Sequence, residues 1–196
     1  DQLGLTRYAI YVQDYGAPIG WRLALRHPQA ITAIVTQNGN GYDEGFVESF
    51  WTTVWDYQRE QTQDTEAAVR TALDVDGIKW QYLAGVDDET LVSPDTWIHD
   101  AAMVGRPGND EIQLTLFRDY ATNAPMYPAL HDYLRTSSVP VLAVWGQGDP
   151  IFGPDGARAL GGDDDRLHLG HDRAVERRRR PLGRADPRRR PDGRPD

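Results

Sequence analysis

Five residues near the start of the chain carry its sharpest chemical signal: Val12-Gln13-Asp14-Tyr15-Gly16. The pattern is small, any, acid, any, small, placed between an apolar run and a helical one. So tight a turn from strand to helix strains the backbone of its central residue, and the neighbours two positions away must be small. The Asp14 carboxylate then stands at a helix N-terminus, where the dipole favours negative charge. The backbone N–H of Tyr15 points to where an oxyanion would form. A carboxylate held this way is a nucleophile for an electrophilic carbon. The simpler reading is an Asp14 that only caps a helix at 17–27. A second acid, Asp149, sits in Trp145-Gly146-Gln147-Gly148-Asp149-Pro150, again just past an apolar strand. Open sheets place their sites in loops at the carboxyl ends of parallel strands. The simpler reading here is a turn-capping Asp before proline.

The elements that must position these acids are legible around them. Tyr8–Val12 is almost continuously apolar, which suits a strand buried on both faces. Ile19, Trp21, Leu23, Ala24 and Leu25 follow at helical spacing and stop near His27-Pro28, because proline pushes its predecessor out of the α region. Ile31–Thr36 is a second strand, ending in Gln37-Asn38-Gly39-Asn40-Gly41. From about 44 to 137 the periodicity is helical. Phe46, Val47, Phe50, Val54 and Trp55 form one apolar face, and Glu66–Val75 reads as a second helix. Trp80, Tyr82 and Leu83 belong to a third element. Ser93 caps a helix that opens at Pro94, Ile112–Phe117 continues on a new one, and Pro125–Arg135 forms another. Strand character returns at Pro140–Trp145, with a short helix at Pro154–Leu160.

Composition bounds the rest. The chain has 196 residues, no cysteine and a formal charge of −9, so disulfides and thiolate chemistry are excluded. The apolar runs are too short to span a membrane. The first residues lack the basic and apolar regions of a secretory signal, so the cytoplasm is the expected location. Residues 1–160 hold 10 Lys+Arg against 22 Asp+Glu, whereas residues 161–196 hold 11 Arg against 8 Asp+Glu. The last segment, with its runs Arg177–Arg180 and Arg188–Arg190, is too poor in apolar residues to offset its ordering entropy. Those runs lack interleaved aromatics, and the remainder is acidic, so nucleic acid is not an expected partner. Phosphate loops are absent: Gly39-x-Gly41 and Gly105-x-x-Gly108 lack the Lys and the spacing. The one His pair at metal-ligand spacing, His168 and His171, lies in the basic segment, and neither metal nor cofactor is expected.

The motifs together resemble the α/β-hydrolase superfamily, and within it the aspartate-nucleophile branch of epoxide hydrolases and haloalkane dehalogenases. The resemblance rests on Val12 through Gly20, on Gln37-Asn38-Gly39-Asn40 and on Val144 through Phe152. In the helical segment it rests on Ile112-Gln113-Leu114 and Asp119-Tyr120-Ala121-Thr122-Asn123. It covers about residues 1–160. It implies that Asp14 attacks carbon to form an alkyl-enzyme ester, and that a His held by Asp149 activates the water that cleaves it. Leu167-His168-Leu169-Gly170-His171 resembles the family's last strand and His loop with residues missing, and His171, in the only Gly-His pair, is the candidate base; the alternative is an incidental histidine in a basic tail. The resemblance also implies Tyr15 as the backbone oxyanion donor and Tyr120 as an acid on an epoxide oxygen, with Tyr82 and Tyr127 in reserve. Dehalogenases of this branch have Trp after the nucleophile, where this chain has Tyr15. Some carry their acid after the earlier strand, where this chain has Asn38.

The expected class is therefore α/β: a partial α/β-hydrolase parallel sheet with an inserted helical cap. The core is expected at 1–40 and 126–160, the cap at 41–125 and a low-complexity tail at 161–196. A slip of reading frame near Leu160 would account for that tail. The expected function is hydrolysis of small apolar electrophiles, epoxides before alkyl halides, with Trp55, Asn38 and Tyr120 facing the substrate. Trp51, Trp80, Trp97 and Phe117 would help to keep the pocket dry. An inactive remnant or a non-catalytic binding protein is the alternative. The chain begins just before the elbow strand, so flanking strands are expected to be missing. The sheet edge left uncovered would favour self-association.

Overall fold

The structure, a computed structural model, describes residues 2–163 and 168–170. Four strands pair in chain order in one parallel sheet: β1 (Tyr8–Gln13), β2 (Ile31–Gln37), β3 (Val141–Val144) and β4 (His168–Gly170). Parallel neighbours need crossovers. The first is α1 (Gly16–Arg26). The second is a long helical excursion: α2 (Glu48–Arg59), α3 (Gln63–Arg70), α4 (Val75–Leu83), α5 (Pro94–Val104), α6 (Asn109–Asp119) and α7 (Tyr127–Thr136). After β3 comes α8 (Pro154–Asp163).

One apolar core lies between the sheet and α1, α7 and α8. It joins Val12, Trp21, Ile34, Leu130, Leu134, Val141 and Leu160. The Trp21 indole donates to the Asn40 carbonyl at 2.9 Å, which ties α1 to the loop after β2. A second core joins the helical excursion to the end of β3: Trp51, Val54, Leu114, Phe117, Tyr120, Ala143, Trp145 and Phe152. The chain enters the excursion along the loop after β3, where Phe46 bridges to Phe152 and Gly153 N–H donates to Gly45 O at 2.9 Å.

Four sequence expectations change. The strands are not covered on both faces among the described residues, because α1, α7 and α8 pack on the same side. Tyr11 is 62% exposed, and Leu142 and Val144 on β3 are open too. The α2 face is set by Trp51, Val54 and Tyr57, since the helix starts only at Glu48 and Phe46 is extended. The helix expected at 66–75 is α3, which ends at Arg70, and the third element expected around Trp80–Leu83 is α4, which already starts at Val75. Thr62 and Thr65 form a capping box that starts α3 earlier, and the Asp74 side chain accepts from Gly77 N–H at 2.7 Å to start α4. Finally, the fold does not stop at residue 160: α8 runs to Asp163, and β4 pairs with β3 through Val144 and Gly170. Average composition argues against a strand in this segment, and β4 falls instead where Leu167–His171 resembles the superfamily's last strand. The Ser93 cap before Pro94 stands as expected, with Asp95 N–H donating to the Ser93 hydroxyl at 3.3 Å.

Candidate active site

Asp14 and Tyr15 form the two-residue turn between β1 and α1. Asp14 has φ +45°, in the left-handed region that an L side chain adopts only under strain. It is not the helix cap: Tyr15 holds that position, and no side chain caps α1. Strain of this kind persists only where surrounding structure enforces it, and it clusters at functional sites. The enforcement comes from α1 lying close on β1. A Cβ at Gly20 would stand 2.3 Å from Val12 Cγ1, and one at Gly39 would stand 2.7 Å from Ala17 Cβ. The expected steric need at Gly16 is absent, since a Cβ there would meet nothing within 4 Å. The small residue that matters lies one helical turn later, at Gly20.

Asn38 has the same φ of +45°, at the same point after β2. Asn tolerates this conformation better than most residues. Its side chain bridges to the next strand. The amide nitrogen donates to Asp149 Oδ2, and the amide oxygen accepts from Gly146 N–H at 3.2 Å. Asn38, expected to face the substrate, has both amide atoms engaged with the Asp149 loop. Asp149 Oδ1 accepts from the N–H groups of Ile151 and Phe152 at 2.8 and 3.0 Å. Both oxygens of Asp149 are thus held. Gly85, at φ +79°, lets its loop lie against the Gly148 carbonyl, where a Cβ would stand 2.1 Å away. The excursion therefore touches the acid's loop directly.

Asp14 is solvent-exposed as a residue, yet protein atoms crowd its carboxyl. That crowding pushes the carboxyl above its ordinary range. The Tyr15 N–H bonded to it pulls the other way, and the charge of Asp149 adds to the rise. The Tyr15 N–H thus rests on the carboxylate itself in this state.

Tyr120 closes the site from above. It is 3% exposed, with its ring 6.1 Å from Tyr15, 4.6 Å from Trp51 and 6.3 Å from Phe152. Burial first, then Tyr127 and Asp14, drive its hydroxyl far above the ordinary phenol range, so it stays protonated. Tyr127 is buried beside it, and its hydroxyl has no hydrogen bond of good geometry among the described residues. Trp55 is half-buried, stacked on Trp51 at 4.8 Å and edge-on to Phe46 at 5.1 Å. Trp51 and Phe117 belong to this apolar cluster, but Trp80 and Trp97 do not. Trp80 is 44% exposed on α4, and Trp97 lies under Lys79. Tyr82 donates to Asp100 and is pushed up to about 12, mainly by that bond. His171 lies outside the described residues. Gly170, its neighbour in sequence, pairs beside Val144 at the carboxyl end of the sheet.

One positioning contact had no sequence signal. Arg22, two turns along α1 from Asp14, donates to Pro18 O at 3.2 Å and to Asn123 Oδ1 at 2.7 Å. It also donates to Thr122 O and Thr122 Oγ1 at 3.2 and 2.8 Å. The helix behind the acid thus grips the segment that carries Tyr120. Among the described residues no three His, Asp or Glu side chains gather to hold a metal, and no helix is long and apolar enough to cross a membrane.

A parallel sheet with a strained acid after one strand, a second acid after a later one and a helical excursion between them defines an α/β-hydrolase fold. The chain belongs to that family: the model of the alpha/beta hydrolase fold matches residues 1–173, so the match extends through His171. It is 41% identical over 172 residues to the uncharacterized hydrolase YNR064C of Saccharomyces cerevisiae, covering 86% of this chain and 59% of that protein. Among solved structures it is similar to the haloalkane dehalogenase DbeA of Bradyrhizobium elkani USDA94. That likeness has a TM-score of 0.61 and 18% identity over 87% of this chain and 60% of the other. The 2-hydroxy-6-oxo-6-phenylhexa-2,4-dienoate hydrolase of Rhodococcus sp. strain RHA1 gives 0.56 and 13%, over 86% and 56%. These likenesses are of fold. The chain spans roughly three fifths of the length of these relatives.

Proposed function

We propose that this chain carries the nucleophile and its supporting acid for hydrolysis of small apolar electrophiles through a covalent aspartyl ester, with epoxides as the first substrate class. The observation that carries the proposal is Asp14 at φ +45° on the β1–α1 turn, beneath a buried, protonated Tyr120. An Asp14 oxygen attacks a ring carbon, the carbon–oxygen bond of the epoxide breaks, and Tyr120 or Tyr127 gives the alkoxide its proton. Water then attacks the carboxyl carbon of the ester. His171, oriented by Asp149, takes the proton of that water, and the Tyr15 N–H faces the developing oxyanion. The diol leaves with Asp14 restored, and the proton held by His171 returns through solvent to the tyrosinate, which restores both groups. A carboxylate suits this chemistry because its alkyl ester is cleaved by water, whereas a serine would leave an ether.

Alkyl halides are the second class. One observation favours them: the Trp55 indole N–H has no hydrogen-bond partner among the described residues, while Trp51 and Trp145 donate to the carbonyls of Ile151 and Phe152. Trp55 is then the donor for a leaving halide.

The test is intact-protein and peptide mass spectrometry after incubation with an aryl epoxide and, separately, an alkyl bromide. An adduct on the peptide containing Asp14, absent in Asp14→Asn, is the expected result. Loss of the epoxide adduct alone in Tyr120→Phe would favour the epoxide reading, and loss of the bromide adduct alone in Trp55→Phe the other. Folded protein that yields no adduct with either probe would leave the chain a non-catalytic member of its family.

A further inference from the structure

A hollow of about 410 Å3 lies in the helical excursion, lined by α2, α3, α4 and Phe117. None of Asp14, Tyr15, Asn38, Tyr120 and Asp149 lines it. Its walls have a definite chemistry. Phe50 and Trp80 stand with their rings within 5° of parallel and centroids 6.5 Å apart. Trp80 is 44% exposed, so a ligand can reach its ring. Asp74 and Asp76 line the same hollow, and no Lys or Arg does. Asp74 is anchored by its bond to Gly77 N–H, and Asp76 is exposed in the first turn of α4. Lys79 of the same helix is placed over Trp97 instead.

Two of its donors are engaged within the protein, and the neutral Ser49 and Thr53 hydroxyls also line it. The Gln81 amide nitrogen donates to Ala72 O at 2.9 Å and Gly77 O at 3.3 Å, and the Thr71 hydroxyl donates to Ala68 O at 2.7 Å. The hollow therefore offers aromatic faces and carboxylates. Ring faces attract cations through their quadrupole, and apolar lining suits an alkyl body. The size falls in the range of small-molecule sites. We propose that this hollow binds a small organic cation of the quaternary or alkylated ammonium class, between the Phe50 and Trp80 rings and the Asp74 and Asp76 carboxylates. It is separate from the Asp14 site and does not depend on the activity proposed there.

Choline and its neutral carbon analogue dimethylbutanol are the probes, titrated into the full chain by calorimetry and tryptophan fluorescence. Choline should bind saturably and roughly ten-fold more tightly than the neutral analogue, in line with a partly desolvated cation–π contact. Added salt should weaken it, because both carboxylates face water. Trp80→Leu should weaken choline roughly ten-fold and Asp76→Asn several-fold, while Asp14→Asn leaves it unchanged. Both changes are at exposed positions, and Asp76→Asn tests the proposal even where Trp80→Leu disturbs folding. Equal affinity for the neutral analogue, unchanged binding in the variants, loss of binding in Asp14→Asn, or no saturable binding would each overturn the proposal.

Discussion

Asp14 and Asn38 share a backbone conformation but not a role, so the same substitution at each should move stability in opposite directions. Both have φ +45°. A left-handed non-glycine residue carries roughly 1–2 kcal/mol of strain, which glycine relieves. The extra freedom of glycine in the unfolded chain takes back about 0.4–1 kcal/mol. Asp14→Gly also removes a crowded carboxylate close to the charge of Asp149, at the cost, among the described residues, of the bond from Tyr15 N–H. The net gain should be about 0.5–1 kcal/mol, a rise of roughly 1–4 °C in Tm for a chain of this size. Asn38→Gly relieves the same strain but strips Asp149 and Gly146 of their partner. A hydrogen bond to a charged group is worth about 1.5–3 kcal/mol and a neutral one about 0.5–1.5. The net should be a loss of about 2 kcal/mol, or roughly 4–8 °C. Urea unfolding with an unchanged m-value, alongside thermal melts, reads both. If Asp14→Gly destabilises the chain as much as Asn38→Gly, the claim that the Asp14 turn is held strained for function fails.

Other outcomes follow from the same contacts. Gly20→Ala places a Cβ against Val12 Cγ1, so it should cost about 1–3 kcal/mol of stability in a denaturation curve; an unchanged midpoint would mean that α1 does not sit tightly on β1. Because the Asp14 carboxyl is held above its ordinary value, the folded chain keeps that proton longer than the unfolded one. Stability should therefore fall as pH rises through this window, while ester formation, which needs the carboxylate, should rise with it. Asp149→Asn should shift the rate midpoint to lower pH, and an unmoved midpoint would separate the two acids. Among the described residues β1 is an edge strand and Tyr11 is exposed, so self-association of the chain is the expected outcome. Sedimentation over rising concentration should show a growing dimer, and a clean monomer throughout would contradict this.

The order of strands and helices was legible because buried strands and amphipathic helices differ in period, and because Pro28, Pro94 and Pro154 mark boundaries. The Asp14 turn and the Asp149 loop were legible because a strained turn and a loop after a buried strand restrict residue choice. What depends on contacts distant in sequence was not. Asn38 holds Asp149 across 111 residues, and Arg22 grips Asn123 across 101. No local pattern encodes either pairing. The boundary between α3 and α4 turned on Asp74, which reads equally well as a helix residue or as a cap. Trp80 and Trp97 look like pocket residues by type alone, and only their place on α4 and α5 removes them from the site. The strand His168–Gly170 is three residues long in a segment whose average composition argues against any strand.

The central claim is that the oxygen delivered to product passes through Asp14. A single turnover with an epoxide in water enriched in heavy oxygen, followed by peptide mass spectrometry, tests it most directly. Attack of water on the ester puts one heavy oxygen into the Asp14 carboxylate and leaves the first diol unlabelled, which is the result expected here. Heavy oxygen in the diol, with Asp14 unlabelled, would mean that Asp14 only activates water, and the covalent account would be wrong.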